Sequence, residues 1–238
     1  MKKLLIVGAG AGGIILANSL STKEFDITML DKSTSNVFQP AYLYIAFKGA
    51  KPNIIKPTEK LLKKGIKFRN EAVKKIDLEE RKVITNAGTY QYDNLVIATG
   101  SVTNTTQITG LQKVWDNLNK FNGGTIAIGM ASPICKCPPS PLEGAFLAEE
   151  FISRKGLKSK TKIVFFVPYP RAYPAEPINE IVSSLLKQRG IDVYTFFDID
   201  YIDTQNKIIY SIEGDSIKYD LPIIIPPCVG ANIEYNPG

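Results

Sequence analysis

Histidine is absent from all 238 residues. Its absence removes the commonest general base and the commonest protein ligand for zinc, so Ser-His-Asp hydrolysis and histidine-type metal sites are excluded. Cysteine is scarce and odd in number, with three residues at positions 135, 137 and 228. That leaves no disulfide framework and, with no secretory segment read at the start, suggests an intracellular protein. Zinc and iron-sulfur centres usually want four ligands, which three cysteines without histidine do not supply, and no metal is expected. No uninterrupted apolar run approaches the ~18 residues of a transmembrane helix, so the expected location is cytoplasmic, with any membrane contact peripheral. Low-complexity runs and repeats of solenoid period are missing too, which argues against a disordered or repeat protein.

What remains is the composition of a globular chain, 44% hydrophobic and 22% charged, long enough for one or two domains with a sizeable core. The net charge of +6 favours anionic partners or an anionic membrane surface. The lysines are scattered, however, with only short groups such as Lys60, Lys63 and Lys64, and no nucleic-acid motif accompanies them. Nucleic-acid binding is therefore not expected. Met1-Lys2-Lys3 followed by apolar residues superficially resembles a secretory leader, but a glycine fingerprint inside that stretch makes it a strand and a helix.

Residues 4–7 are apolar, Gly8, Gly10 and Gly13 fit G-x-G-x-x-G, residues 14–20 continue helically, and Asp31 follows the apolar residues 27–30. This is a dinucleotide-binding βαβ opening. Gly8 permits the tight turn, Gly10 lets the backbone approach a pyrophosphate, and Gly13 allows close packing of helix on strand. The helix N-terminus then holds the phosphates. Asp31, at the end of the second strand, is placed to accept hydrogen bonds from an adenosine ribose. The pattern alone serves FAD and NAD equally.

Residues 36–44 are aromatic and proline-bearing, which predicts a loop or short helix lining a pocket, although core packing explains the aromatics equally well. Short strands are expected at 66–69, 72–76, 82–85, 89–92 and 95–98, an antiparallel insert that returns into a parallel sheet. The last ends in Ala98, Thr99 and Gly100, small residues that permit close approach of backbone to a cofactor. A second α/β unit begins at Gly124, with strands at 125–129, 162–167 and 191–194 and helices at 141–155 and 178–189. Where a second phosphate-binding glycine turn would stand, this chain has Gly129-Met-Ala-Ser-Pro-Ile-Cys-Lys-Cys-Pro-Pro-Ser-Pro-Leu-Glu143. Val167 and Pro168 occupy the place of a ribose-binding acid and offer no side-chain acceptor. This half is expected to have lost nicotinamide binding.

GAGAGG with Asp31, followed by YDNLVIATGS, resembles the FAD-dependent pyridine nucleotide-disulfide oxidoreductases. The resemblance implies an α/β fold of two Rossmann-like dinucleotide-binding domains, 1–110 holding FAD and 111–238 a second, NAD-binding-like domain. It assigns Gly8, Gly10, Gly13 and Asp31 to the FAD diphosphate and ribose, with Ala98, Thr99 and Gly100 along the cofactor. Within this superfamily, Lys136-Cys-Pro-Pro-Ser-Pro-Leu-Glu143 and Tyr219-Asp-Leu-Pro-Ile-Ile-Ile-Pro-Pro-Cys-Val-Gly230 are similar to segments of sulfide:quinone oxidoreductases and the flavin subunit of flavocytochrome c sulfide dehydrogenase. That likeness implies that Cys137 passes an electron pair from sulfide or polysulfide to FAD and on to a quinone, working with a second redox cysteine.

Sulfur transfer needs a soft nucleophile with thiolate character, which Lys136 would favour in its neighbour. A buried, inert Cys137 is the alternative, weighed against the rigid Cys-Pro-Pro turn. Cys135, two positions away, has three open roles: a strained local disulfide, a sulfur acceptor, or none. Cys228 stands where the family often has histidine. Glu143 is read either as a proton shuttle or as a helix cap. Tyr169, Arg171 and Tyr173 lie in a loop that is aromatic enough to gate a pocket.

In those relatives the chain returns to complete the first domain with a flavin-contacting acid, the second redox cysteine and membrane helices. Parts of that kind are not identifiable before Gly238, so the first domain is expected to be incomplete, and a homo-oligomer or a complementing C-terminal chain to cover it. The other functional readings are an NAD(P)H-dependent quinone or disulfide reductase of the same superfamily and a non-catalytic dinucleotide- or partner-binding module.

Overall fold

The computed structural model describes residues 1–50, 53–103, 110–231 and 233–236. They group into two compact units, Met1–Gln39 with Asn53–Val102 and Gly230–Gly238, and Pro40–Pro52 with Thr103–Val229. Where the sequence pattern divides the chain once, between 110 and 111, these units exchange the segments 40–52 and 230–238.

The first unit opens with β1 (Lys2–Val7), α1 (Ala11–Ser19) and β2 (Phe25–Asp31). Leu4, Leu5, Ile6 and Val7 are all buried, the signature of a parallel strand covered on both faces. Leu4 and Ile6 pack with Ile14 and Ala17 of α1, whereas Leu5 and Val7 pack with Ile76, Val83 and Tyr92. β3 (Ser35–Val37) and β4 (Ile55–Pro57) form an antiparallel pair. β5 (Lys67–Asn70) joins β2 in parallel, Thr28 opposite Lys67, and so belongs to the main sheet rather than to the antiparallel insert expected to begin at 66. Ile66 and Phe68 feed the core beneath α1, which draws the strand there. The insert proper is β6 (Val73–Asp77), β7 (Lys82–Thr85) and β8 (Thr89–Gln91). β9 (Asn94–Ile97) completes the four-stranded parallel sheet in the order β5-β2-β1-β9, and the short β10 (Ser101–Thr103) follows.

The second unit repeats this plan. Residues 36–44, expected as a loop or short helix, divide between β3 and α2 (Tyr42–Lys48), and α2 packs with α3 (Leu111–Lys120). Its left-handed cap residue Gly49, φ 61°, lies against the Trp115 ring, where a Cβ has no room. β11 (Gly124–Met130), α4 (Ser140–Arg154), β12 (Thr161–Phe166), α5 (Ile178–Arg189) and β13 (Ile191–Tyr194) follow. An antiparallel layer of β14 (Ile199–Asp203), β15 (Ile208–Ser211) and β16 (Ser216–Lys218) precedes β17 (Leu221–Ile225). The parallel sheet runs β13-β12-β11-β17. Ile126, Ile128, Ile163 and Phe165 face the helical side, while Ala127, Val164 and Phe166 meet Phe197, Ile209, Ile217 and Tyr219 on the other.

Each unit is thus Rossmann-like, with a parallel sheet, helices on one face and a three-stranded antiparallel layer on the other. After β18 (Cys228–Gly230), β19 (Glu234–Asn236) returns to the first unit and pairs in parallel with β6, Glu234 opposite Lys75. No helix among the described residues is long and apolar enough to cross a membrane.

Candidate functional site

The passage from β1 to α1 takes only residues 8–10, and Gly8 and Gly13 each have a separate steric reason. Gly8 sits at φ 106° and a Cβ there would strike the Ala98 carbonyl, while the Ala98 N–H donates to the Val7 carbonyl at 2.7 Å. The fold therefore brings the glycine turn directly against Ala98 and Thr99. At Gly13 a Cβ would collide with the Gly8 carbonyl, so its absence sets how closely α1 approaches the turn. Gly10 caps α1 in an extended conformation with no side-chain capping bond, and a Cβ on Gly10, Gly12 or Gly100 would enter open space. An uncapped helix start with clear space before it suits a dinucleotide diphosphate, because the first-turn N–H groups lack partners within the helix.

Asp31, at the end of β2, is bonded to the turn itself. Its Oδ2 accepts from the Ala9 N–H at 2.6 Å and its Oδ1 from the Ser33 N–H at 2.8 Å. A carboxylate offers about four lone-pair directions, so capacity remains for ribose hydroxyls. Asn36 carries no sequence signature of a role here; its Nδ2 donates to the Ala9 carbonyl at 2.9 Å, holding the same turn from the other side. No spacing rule marks it, since only the folded path of residues 31–36 carries it there.

In the second unit the corresponding passage, residues 131–139, is much longer. Ala131 N–H donates to the Ile225 carbonyl at 2.9 Å, and Ile134 N–H to Ser132 Oγ at 3.2 Å. At the far end the Cys137 carbonyl accepts from both the N–H and the hydroxyl of Ser140, at 3.0 and 2.9 Å. Pro139 at the cap and Pro141 in the first turn start α4, where a missing N–H costs nothing. Cys137 is thereby exposed just before the helix. Lys136 beside it is exposed, as is Glu143 in the first turn of α4, where no side-chain capping bond forms.

Cys135 is half-buried against the core beneath α4. Burial pushes its thiol up from the ordinary range; the Cys137 backbone N–H opposes the rise, and Cys228 and Cys137 add to it. Tyr169 donates its hydroxyl to the Pro133 carbonyl at 2.8 Å, and its own ionisation is pushed up by burial and then by Cys135. Arg171 pairs with Glu176 at 3.0 Å, and the Tyr173 N–H donates to Asn179 Oδ1 at 3.2 Å. The Tyr169 bond makes the loop a brace for residues 131–139, and the other two hold the loop itself. Val167 is buried, its N–H donating to the Tyr194 carbonyl and its carbonyl accepting from Phe197, so the end of β12 presents backbone already in use and no carboxylate.

A family model described as pyridine nucleotide-disulphide oxidoreductase matches residues 2–231. The chain belongs to that family. Among curated relatives of this family member, the mitochondrial sulfide:quinone oxidoreductase of Dictyostelium discoideum is 23% identical over 252 aligned positions, covering 94% of this chain and 56% of that protein. The type II NADH:quinone oxidoreductase of Staphylococcus aureus is 36% identical over 118 positions, 47% of this chain and 29% of that protein. The crystal structure of the sulfide:quinone oxidoreductase from Aquifex aeolicus superposes with a TM-score of 0.81 at 22% identity, covering 95% of this chain and 59% of that one. At that identity the match establishes the fold. This family member spans little more than half the length of the sulfide:quinone oxidoreductases it matches.

Proposed function

We propose that this family member is an FAD-dependent oxidoreductase that oxidises sulfide through Cys137 and delivers the electrons to a quinone. Bound FAD supplies a two-electron acceptor. Gly8, Gly10, Gly13 and the start of α1 hold its diphosphate, Asp31 accepts from its ribose hydroxyls, and Ala98, Thr99 and Gly100 lie along it. Cys137 contributes a solvent-facing soft nucleophile, and Cys135 a second sulfur two residues away. Glu143, whose carboxylate makes no capping bond, is placed to relay protons at the start of α4.

The observation that carries this reading is the replacement of the second glycine turn by the 131–139 loop, which ends in exposed Cys137. A nicotinamide dinucleotide would need close backbone approach and an acid after β12, and this chain has proline and Val167 there. The names of the relatives support sulfide as donor and quinone as acceptor.

NADH as donor is the second reading, favoured by the 36% identity to the Staphylococcus aureus enzyme. One experiment separates the two. The chain is loaded with FAD without oxygen, freed of excess flavin, and its visible absorbance followed after sulfide or NADH. Bleaching by sulfide that disappears in Cys137→Ser is the expected result. Bleaching by NADH alone supports the second reading, and a chain that retains no flavin overturns both.

A further inference from the structure

Neighbouring strands β11 and β17 run in parallel, Met130 opposite Ile225, and both chains continue past the same end of the sheet. Three residues beyond β17, the Cys228 N–H donates to the Ile134 carbonyl at 3.3 Å. That bond brings Cys228 alongside Ile134, with the register of β11 and β17 slipped by two residues, and so close to the next residue, Cys135. Chains paired in this way lie ~4.8 Å apart, inside the roughly 4.4–6.8 Å between α-carbons that a disulfide spans.

We propose that Cys135 and Cys228 form a dithiol–disulfide site, distinct from exposed Cys137, that exchanges with low-molecular-weight disulfides. Both thiols are half-buried, which admits a small disulfide more readily than a protein. The influence of Cys228 on Cys135 ionisation places the two sulfurs within electrostatic range. Among the described residues no three His, Cys, Asp or Glu side chains converge as metal ligands, so the geometry favours a pair over a chelating trio.

The exchange balances without any other oxidant. Cys228 thiolate attacks a small disulfide, forming a mixed disulfide and expelling one thiolate, which takes up a proton. Cys135, kept protonated near neutrality by burial, loses its proton and attacks the Cys228 sulfur. The intramolecular bond forms and the second small thiol departs. Two protein thiols are oxidised and one disulfide is reduced to two thiols.

The inference is independent of flavin and of sulfide, so its test uses neither and fails or succeeds separately from the proposed function. The Cys137→Ser chain is incubated with excess oxidised glutathione and analysed by intact mass and non-reducing peptide mapping. The expected product is lighter by two hydrogens and contains a Cys135–Cys228 linked peptide. Adding Cys228→Ser abolishes the linked peptide. The unsubstituted chain, mapped in parallel, gives the same linked peptide without any substitution in the loop. Glutathione on both cysteines without a link, or a Cys135–Cys137 bond as the main product of the unsubstituted chain, overturns the proposal.

Discussion

At the scale of single residues, Gly8 carries two constraints at once, a positive φ and the Ala98 carbonyl in the space of a Cβ. Gly8→Ala is expected to cost at least about 1 kcal/mol, because alanine is strained at positive φ and the turn must also move off Ala98. Thermal unfolding reads the stability, and retention of FAD reads the turn. Gly10→Ala meets open space at its Cβ, so it should leave the melting temperature nearly unchanged while weakening retention of a diphosphate. The glycines and Asp31 were legible in sequence because a backbone that must turn sharply or lie against another backbone admits few residue types. Asn36 and the bracing role of Tyr169 were not. Each acts by donating to a distant carbonyl, Ala9 and Pro133, and that requirement leaves no trace in local spacing.

Among elements, α4 is held to α5 through a buried carboxylate. Glu149, only 5% exposed, accepts from Ser153, Lys158 and Arg189. Burial alone would raise its pKa, but those three bonds outweigh it and hold the carboxyl below the ordinary glutamate value. A depressed carboxyl stabilises the fold above the unfolded value and loses that contribution as pH falls through the folded one. The melting-temperature gap between the natural chain and Glu149→Gln is therefore expected to be widest near neutrality and to close in acid. Because Lys158 and Arg189 are more than half exposed and hydrate when released, the stability difference at neutral pH should be about 1.5 kcal/mol, the low end for bonds to charged groups.

Gly144 supplies a second test at this scale, since a Cβ there would lie 3.1 Å from the Phe47 ring of α2. Gly144→Leu should cost roughly 1–3 kcal/mol through overpacking. Phe47→Ala should relieve part of that cost in a double-mutant cycle. The main strands and helices were readable from runs of buried apolar residues. By contrast, α3 is short, and its signal is confined to Leu111, Val114, Trp115 and Leu118 at helical spacing, with only Val114 and Leu118 fully buried. The β14–β16 layer does alternate, with Ile209, Ser211 and Ile217 buried between more exposed neighbours, but its strands are short and broken by polar turns.

For the whole molecule, the two units share one architecture, and the passage after the first strand sets them apart, a tight glycine turn after β1 and an extended cysteine-bearing loop after β11. This asymmetry explains why the family was legible in the order of residues alone, while the assignment of the chain to units was not. Segments 40–52 and 230–238 join partners remote in sequence, and local patterns carry no record of that. The interleaving imposes an order on synthesis. α2 emerges from the ribosome long before α3 and α4 exist to cover Phe47, and β6 waits for β19 until residues 103–229 have been made. Non-local pairings of this kind form late. In chains stalled at residue 230, with a linker filling the exit tunnel, amides of β11 and β12 should already resist hydrogen exchange, while those of β6 on the β19 side should still exchange freely. The second unit to begin is thus the first able to finish, and the unit that bears the glycine turn is the part a cell must shelter longer while these residues are being made.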